Sequence, residues 1–202
     1  MKGLILKDFY NLTKQYKIIL VLVIFYLLVS VSSEDTNFFG GVVSILMVMQ
    51  VITTLSYDEK SNWDRYALTM PISRSDLVLS KYILGGILLA VAFAVNFIFR
   101  IVAGSGQPME ALIVSVATTG VGLFFMFLIL PVLFKFGAEK GRYMMMLIFF
   151  IPTGFLLLMS RMGLTLPEAF MRLLPTFSVL FLILAGIISV NASLAIYKRK
   201  EM

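Results

Sequence analysis

The stretch ILGGILLAVAFAVNFIFRIVA, residues 83–103, decides the fold class of this chain. It carries a single charged side chain, Arg100, in 21 positions. A helix of about 20 apolar residues spans the roughly 30 Å hydrocarbon core of a bilayer, because each residue adds about 1.5 Å. The stretch therefore predicts a transmembrane helix.

The composition of the whole chain agrees with that prediction. Of its 202 residues, 60% are hydrophobic and only 14% are charged, and the mean hydropathy is +0.97. Soluble domains are nearer half apolar and a quarter charged. A chain of this size has too little interior to hide so much apolar surface from water, so the composition predicts an integral membrane protein.

Six segments are apolar and long enough to cross a bilayer as helices. The sequence thus predicts an all-α integral membrane protein with six transmembrane helices, forming one domain over residues 1–202. The predicted spans are residues 18–33, 38–56, 83–103, 111–134, 144–160 and 175–197.

The lysines and arginines predict the orientation of the spans, since basic residues near span ends stay on the cytoplasmic side. With the N-terminus inside, fourteen of the 17 basic residues fall in inner segments. The outer segments then hold only Arg100, Arg161 and Arg172. Both termini are therefore expected in the cytoplasm.

The residue types disfavour several function classes. The chain has no cysteine and no histidine, which removes thiolate nucleophiles and the commonest general base and metal ligand. No phosphate-binding loop of the G-x-x-x-x-G-K-[ST] type occurs, so any ATP hydrolysis would need another chain. The spans offer no converging acid, base and nucleophile, which disfavours an intramembrane enzyme.

The net charge of +6 favours anionic lipid headgroups over nucleic acid as partners.

Two segments outside the spans are also predicted to be helical. Residues 1–17 place apolar side chains at helical spacing with lysines on other faces, which is typical of an interfacial helix; an extension of the first span is the alternative. In residues 161–174, Thr165 and Glu168 have capping-box spacing and Pro167 suits a first helical turn. With Phe170 on an apolar face, this segment is predicted to be a short extracellular or re-entrant helix.

The longest polar segment, residues 57–82, lies between the second and third predicted spans. Ser61 and Asp64 have capping-box spacing, which predicts a helix beginning at Asn62. The apolar face of this helix is expected to contain Trp63, Tyr66, Ala67 and Met70.

Pro71 is expected to end this short helix, and Ser73 with Asp76 forms a second capping-box pattern that begins the third span. On physical grounds the short helix either docks on a soluble partner or lies on lipid. A lipid-bound helix is usually basic on its polar face, whereas this segment mixes both signs, which favours a protein partner. The mixed charges are Asp58, Glu59, Lys60, Asp64 and Arg65.

The same segment resembles the signature of ABC-2 type transporter permeases, in particular small bacterial permeases made separately from their ATPase. The matching elements are Glu59, Trp63 and Tyr66, then Pro71-Ile72-Ser73-Arg74, then Val78-Leu79-Ser80-Lys81-Tyr82. The N-terminal KGLILKDFYNLTKQYK, residues 2–17, is similar to the opening of that group. The chain is also similar to the permease subunits of exporters for phenol-soluble modulins, which are amphipathic cytolytic peptides.

The resemblance implies a function and its partners. The chain would be the permease of an ATP-binding cassette exporter with an ABC-2 (type V exporter-like) fold, moving amphipathic peptides out across a bacterial plasma membrane. Residues 57–82 would hold a coupling helix that contacts a dimer of ATPase subunits, and those subunits would bind ATP and Mg²⁺ while this chain holds no cofactor. A second permease, identical or paralogous, would complete the transporter.

The resemblance also implies roles for particular residues, with residues 1–17 as a connecting helix. The implied ATPase-coupling residues are Glu59, Trp63, Asp64, Arg65, Tyr66, Pro71, Ser73 and Arg74. The implied outer gate comprises Thr165, Pro167, Glu168 and Phe170. A non-transporting membrane sensor or immunity protein of the same fold is the alternative to an exporter.

Polar residues inside the spans are candidates for a substrate pathway. One face of the second span is polar, because four residues follow i, i+3, i+4, i+7 spacing: Gln50, Thr53, Thr54 and Tyr57. That face lines either an inner vestibule or a packed interface between helices. Asn96 on the third span and Pro152, which is expected to kink the fifth, are further candidates.

Three more positions carry packing predictions. Arg100 is expected to reach the headgroups, or to pair with Glu34 or Glu110. On the fourth span, Gly120 and Gly122 are expected to allow neighbouring helices to approach closely.

Overall fold

The structure, a computed structural model, describes residues 2–33, 36–67, 69–103, 107–162 and 168–199. Within these ranges every regular element is an α-helix and there is no strand. The helices are α1 (Lys2–Leu12), α2 (Tyr16–Ser32), α3 (Thr36–Lys60), α4 (Trp63–Ala67), α5 (Arg74–Ala103), α6 (Pro108–Arg161) and α7 (Glu168–Arg199). The predicted all-helical fold is therefore confirmed.

Four stretches of the described helices are long and apolar enough to cross a membrane, namely Asn37–Lys60, Arg74–Ala103, Pro108–Ala138 and Phe177–Arg199. The pair α1 and α2, bent by 67° where they meet, adds a fifth if it is counted as one broken span. These helices support a multi-pass membrane protein, while the count of six spans stays a prediction.

Helices α3, α5 and α6 pack together at the centre of the bundle, and α7 lies against α5 and α6. Their facing side chains are large, apolar and almost completely buried, as protein interiors require for close packing. The largest of them include Leu84 and Leu89 from α5, Ile129 and Leu130 from α6, and Val51 from α3.

The two glycines predicted to allow close packing behave differently. A Cβ at Gly122 would lie 2.9 Å from Leu89 Cδ2 and 3.1 Å from Ser44 Cβ, so α3 and α5 both approach α6 at this residue. A Cβ at Gly120 would meet only Leu182 Cδ1, at an ordinary contact distance of 3.5 Å. The close approach predicted for both residues is confirmed at Gly122 alone.

Helix α6 is interrupted at Gly137, whose φ of 81° and ψ of 169° lie outside the helical region. The chain turns sharply there: Leu133 Cα lies 3.7 Å from where a Cβ of Gly141 would be. Eight residues of straight helix would rise about 12 Å, so residues 138–161 fold back from residues 108–136. The backbone of α6 is helical at Pro152, and the kink expected there stays a prediction.

Helix α7 also differs from its sequence prediction. It runs without interruption from Glu168 to Arg199, whereas a separate short helix was expected to end at residue 174. The described part of that segment, residues 168–174, is thus the beginning of α7.

Candidate functional site at the charged end of the bundle

Four charged side chains meet where the N-terminal helix crosses the ends of α3 and α5. Lys81 Nζ lies 2.7 Å from Asp8 Oδ2 and 2.7 Å from Asp58 Oδ2. Lys7 Nζ lies 3.3 Å from Asp8 Oδ1 and also pairs with Asp58 Oδ1. We call these residues the charge cluster, and the end of the bundle that contains it the charged end.

The charge cluster is buried and electrically balanced. The side chains of Asp8, Lys81 and Asp58 are 0%, 6% and 8% exposed, and that of Lys7 is 22% exposed. Taking one such charge out of water is costly unless opposite charges and hydrogen bonds replace the solvent. Each carboxylate here has two ammonium partners, so the cluster joins α1, α3 and α5 at one point.

Sequence reasoning assigned no role to Asp8, which is the fully buried acid of the charge cluster. Leu4, Asp8 and Leu12 are the buried residues of α1, and their i, i+4, i+8 spacing puts an acid on the buried stripe of an otherwise amphipathic helix. That acid was the available signal, because a buried carboxylate requires a cationic partner. The identity of that partner depends on how α1 is placed.

Helix α4 follows α3 after a tight turn at Asn62, where φ is +50°. Trp63 packs against the core and Ala67 is fully buried. Lys7 Nζ lies 4.4 Å from the centre of the Trp63 ring, a cation–π distance that ties α4 to the charge cluster. Tyr66 is 57% exposed, whereas Ala67 beside it is fully buried, so the predicted apolar face of this helix is covered only in part.

The two predicted capping boxes have different outcomes. The Ser61 hydroxyl donates backwards to the carbonyls of Tyr57 and Asp58, and α4 begins at Trp63 rather than Asn62. The second box is present: the Asp76 carboxylate accepts from Ser73 N and Oγ at 3.2 and 2.8 Å, and Asp76 N donates to Ser73 Oγ. Helix α5 accordingly begins at Arg74.

Two of the predicted coupling residues hold other helices of the bundle. The Arg74 guanidinium donates to the carbonyls of Tyr197 and Lys198 at 3.3 and 2.8 Å, which stabilises the C-terminal end of α7. The Glu59 carboxylate accepts a 2.6 Å hydrogen bond from Ala138 N. Arg74 and Glu59 therefore both make contacts within the chain, and their role in coupling to an ATPase stays a prediction.

The remaining predicted coupling residues divide between the interior and the surface. Asp64 lines a small cavity together with Glu59 and Tyr197. The surface members of the set are Arg65, Tyr66, Pro71 and Ser73.

The four polar residues predicted on the second span make different contacts in the structure, and a pathway along them stays a prediction. Thr54 is fully buried, and Lys81 donates to its hydroxyl at 3.4 Å. Thr53 bonds back to the Met49 carbonyl. Gln50 is buried beside the Leu46 carbonyl, and Tyr57 accepts a 2.7 Å hydrogen bond from Gln15.

Towards the opposite end of α5, polar residues are buried between helices. Asn96 is 1% exposed and donates to Thr118 Oγ1 of α6 at 2.9 Å. Arg100, expected to reach the headgroups, is instead 7% exposed and donates to Asn37 Oδ1 at 3.0 Å. Of its two expected acidic partners, Glu110 is exposed and Glu34 lies outside the described residues.

The predicted outer gate is described only in part. Thr165 and Pro167 lie outside the described residues, and so do the side chains of Glu168 and Phe170. The side chain of Pro152 is also outside them.

Comparison with known proteins gives one match. A family model described as "ABC-2 family transporter protein" matches residues 3–198, which is almost the whole chain. Searches among curated proteins and among solved structures find no match.

Proposed function

The chain belongs to the ABC-2 transporter family, whose members are membrane subunits of ABC transporters, and we propose that it is the permease of an exporter for amphipathic peptides. In this proposal the charged end faces the cytoplasm of a bacterial cell and carries the docking surface for a dimer of ABC ATPases. ATP and Mg²⁺ bind those ATPases, and a second permease, identical or paralogous, completes the unit. The family implies the ATPase partner; the docking surface, substrate and direction are proposed here.

The observation that carries this proposal is the exposed side of α4 and the turn that follows it. Four residues are exposed there: Arg65 and Tyr66 on α4, and Pro71 and Ser73 in the turn that follows. Trp63 and Ala67 of α4 pack against the core. An aromatic and an arginine beside each other are the residue types enriched where proteins bind one another. A surface held this rigidly transmits a push from a soluble partner into the bundle.

The proposed mechanism follows from the connection of α4 to the membrane helices. Closure of the ATPase dimer on ATP pushes α4, and the charge cluster transfers that displacement to α1, α3 and α5 together. Helix α3 then tilts relative to the second permease, and substrate held between the two permeases is released on the outer side. In this proposal no residue of the chain performs covalent chemistry.

The experiment is a pull-down of the tagged chain from detergent-solubilised membranes, with the copurifying ABC ATPase identified by mass spectrometry. Arg65→Glu and Tyr66→Ala are compared with Met109→Ala. Met109 is 71% exposed and is the second residue of α6. We expect at least a tenfold loss of ATPase with the two α4 variants, and wild-type recovery with Met109→Ala.

Equal recovery in all variants would show that the exposed side of α4 is not the docking surface. A wild-type complex whose ATP hydrolysis is not stimulated by any amphipathic peptide, and which moves none into inverted vesicles, would contradict the peptide-exporter proposal. That second result would leave the sensor or immunity function as the better explanation.

A further inference from the structure

We propose that Glu59 is a positioning residue that makes the second part of α6, residues 138–161, move together with the α3–α4 junction. The inference rests on the proposed function, because it assigns the route by which a displacement of α4 reaches α6. Glu59 was expected to face the ATPase. Its carboxylate is directed at the break in α6, and its contact with the ATPase stays a prediction.

The contact is a helix cap supplied by another helix. Glu59 Oε2 accepts from Ala138 N at 2.6 Å, and residue 138 is the first after the break. The first four N–H groups of a helix have no partner within the helix, and a negative charge near them is stabilised by the helix dipole. Glu59 satisfies one of those groups from 79 residues away in sequence.

The backbone conformation at the break favours glycine. The φ and ψ of Gly137, 81° and 169°, lie in a region that only glycine occupies readily. In addition, a Cβ at Gly137 would be 2.4 Å from Glu59 Oε1 and 3.2 Å from Glu59 Cδ. The glycine therefore serves both the turn of α6 and the approach of the carboxylate.

Glu59 is itself held in place by its neighbour in sequence. Asp58 belongs to the charge cluster and pairs with Lys7 and Lys81, so the last turn of α3 has little freedom to rotate. Asp58 therefore contacts α1 and α5, whereas the next residue, Glu59, contacts α6. A push on α4 is delivered to this turn, since only Ser61 and Asn62 separate α3 from α4.

Spin labelling tests the inference, because the chain has no native cysteine. Cysteines replace Ser61 and Tyr143, which are both exposed and lie on the α3–α4 junction and on the second part of α6. The distance between the two nitroxides is measured by electron paramagnetic resonance in purified permease. We expect one narrow distance distribution in the otherwise unaltered chain.

Three variants separate the carboxylate's reach from its charge. Glu59→Asp keeps the charge but shortens the side chain by one methylene, and we expect the distribution to broaden at least twofold. Glu59→Gln keeps the length and an oxygen acceptor for Ala138 N, so we expect it to remain narrow. Lys140→Ala, which alters an exposed residue two positions beyond Ala138, is the matched control and should leave the distribution unchanged.

The same labels in the permease–ATPase complex test positioning rather than mere stability. Between ADP and a non-hydrolysable ATP analogue, the label distance should stay constant in the otherwise unaltered chain and should change by several ångströms in Glu59→Asp. The inference is overturned if Glu59→Asp is as narrow as Lys140→Ala, or if the unaltered chain changes its label distance with nucleotide. The measurement on isolated permease does not involve the ATPase, so a failure of the proposed function leaves that result interpretable.

Discussion

The charged end and the outer surfaces of α2 and α7 are stabilised by different kinds of interaction. At the charged end, ion pairs and hydrogen bonds join residues far apart in sequence, such as Lys81 and Asp8, which are 73 positions apart. On α2 only Ser30 is buried, and the span in α7 is 11% buried. Those helices expose large apolar side chains, which a lipid environment accepts without any specific contact.

This difference shows which parts of the chain the bilayer stabilises and which parts need specific partners. A substitution on the outer surface of α2 or α7 exchanges one lipid contact for another, whereas one at the charged end leaves a buried charge or donor without its partner. Four pairs of variants test the contrast, from the largest expected effect to the smallest.

Asp58→Asn should have the largest effect, because Lys7 and Lys81 would then share a single carboxylate inside the bundle. Breaking a buried ion pair costs about 3–5 kcal/mol. Thermal unfolding in detergent can be followed through Trp63, the only tryptophan, which lies 4.4 Å from Lys7 Nζ. Glu110→Gln, on an exposed carboxylate, is the control; equal melting temperatures for the two variants would contradict the cluster's structural role.

Leu89→Ala and Leu180→Ala compare a core residue with a lipid-facing one. Leu89 is 1% exposed and Leu180 is 55% exposed. A cavity at Leu89 should cost about 2 kcal/mol, the low end for such changes, since lipid is as apolar as leucine and only packing is lost. Unfolding in SDS should place Leu180→Ala within about 0.5 kcal/mol of wild type. A similar loss for both would mean that another chain covers that face of α7.

Gly122→Ala and Gly120→Ala compare a close helix contact with an open position two residues away. The added methyl at residue 122 would crowd Leu89 and Ser44, and overpacking of this kind costs about 1–3 kcal/mol. At residue 120 the nearest atom is at normal contact distance, so we expect no loss. The same unfolding assay measures both, and a reversed order would show that α6 is rotated from the position described here.

Arg74→Ala should have the smallest and most local effect. Its hydrogen bonds to the Tyr197 and Lys198 carbonyls hold one helix end, and such contacts contribute about 1 kcal/mol. Hydrogen exchange in residues 193–199 should accelerate about fivefold while the melting temperature hardly changes. Arg65→Ala is the control, since that arginine is exposed on α4. Faster hydrogen exchange in both variants would show that Arg74 does not specifically stabilise the C-terminal end of α7.

The sequence by itself determined the membrane class, the helical fold and the capping box at Ser73 and Asp76, because each depends on hydropathy or on hydrogen bonds within one helical turn. Its resemblance to ABC-2 permeases agrees with the family match. The apolar spacing of residues 63–70 also predicted a short helix, found at Trp63–Ala67, although not the turn at Asn62 that precedes it.

Only the tertiary structure decided which polar residues meet. The sequence analysis assigned no role to Asp8, and the resemblance to ABC-2 permeases implied for Glu59 a contact with an ATPase rather than with α6. Their partners, Lys81 and Ala138, are 73 and 79 positions away, and periodicity within a helix carries no information over such separations. The predicted spans at residues 111–134 and 144–160 left a connection at residues 135–143, which contains Gly137. Nothing in the sequence marked this glycine as the position of the positive φ, because the approach of Glu59 from α3 is a tertiary contact.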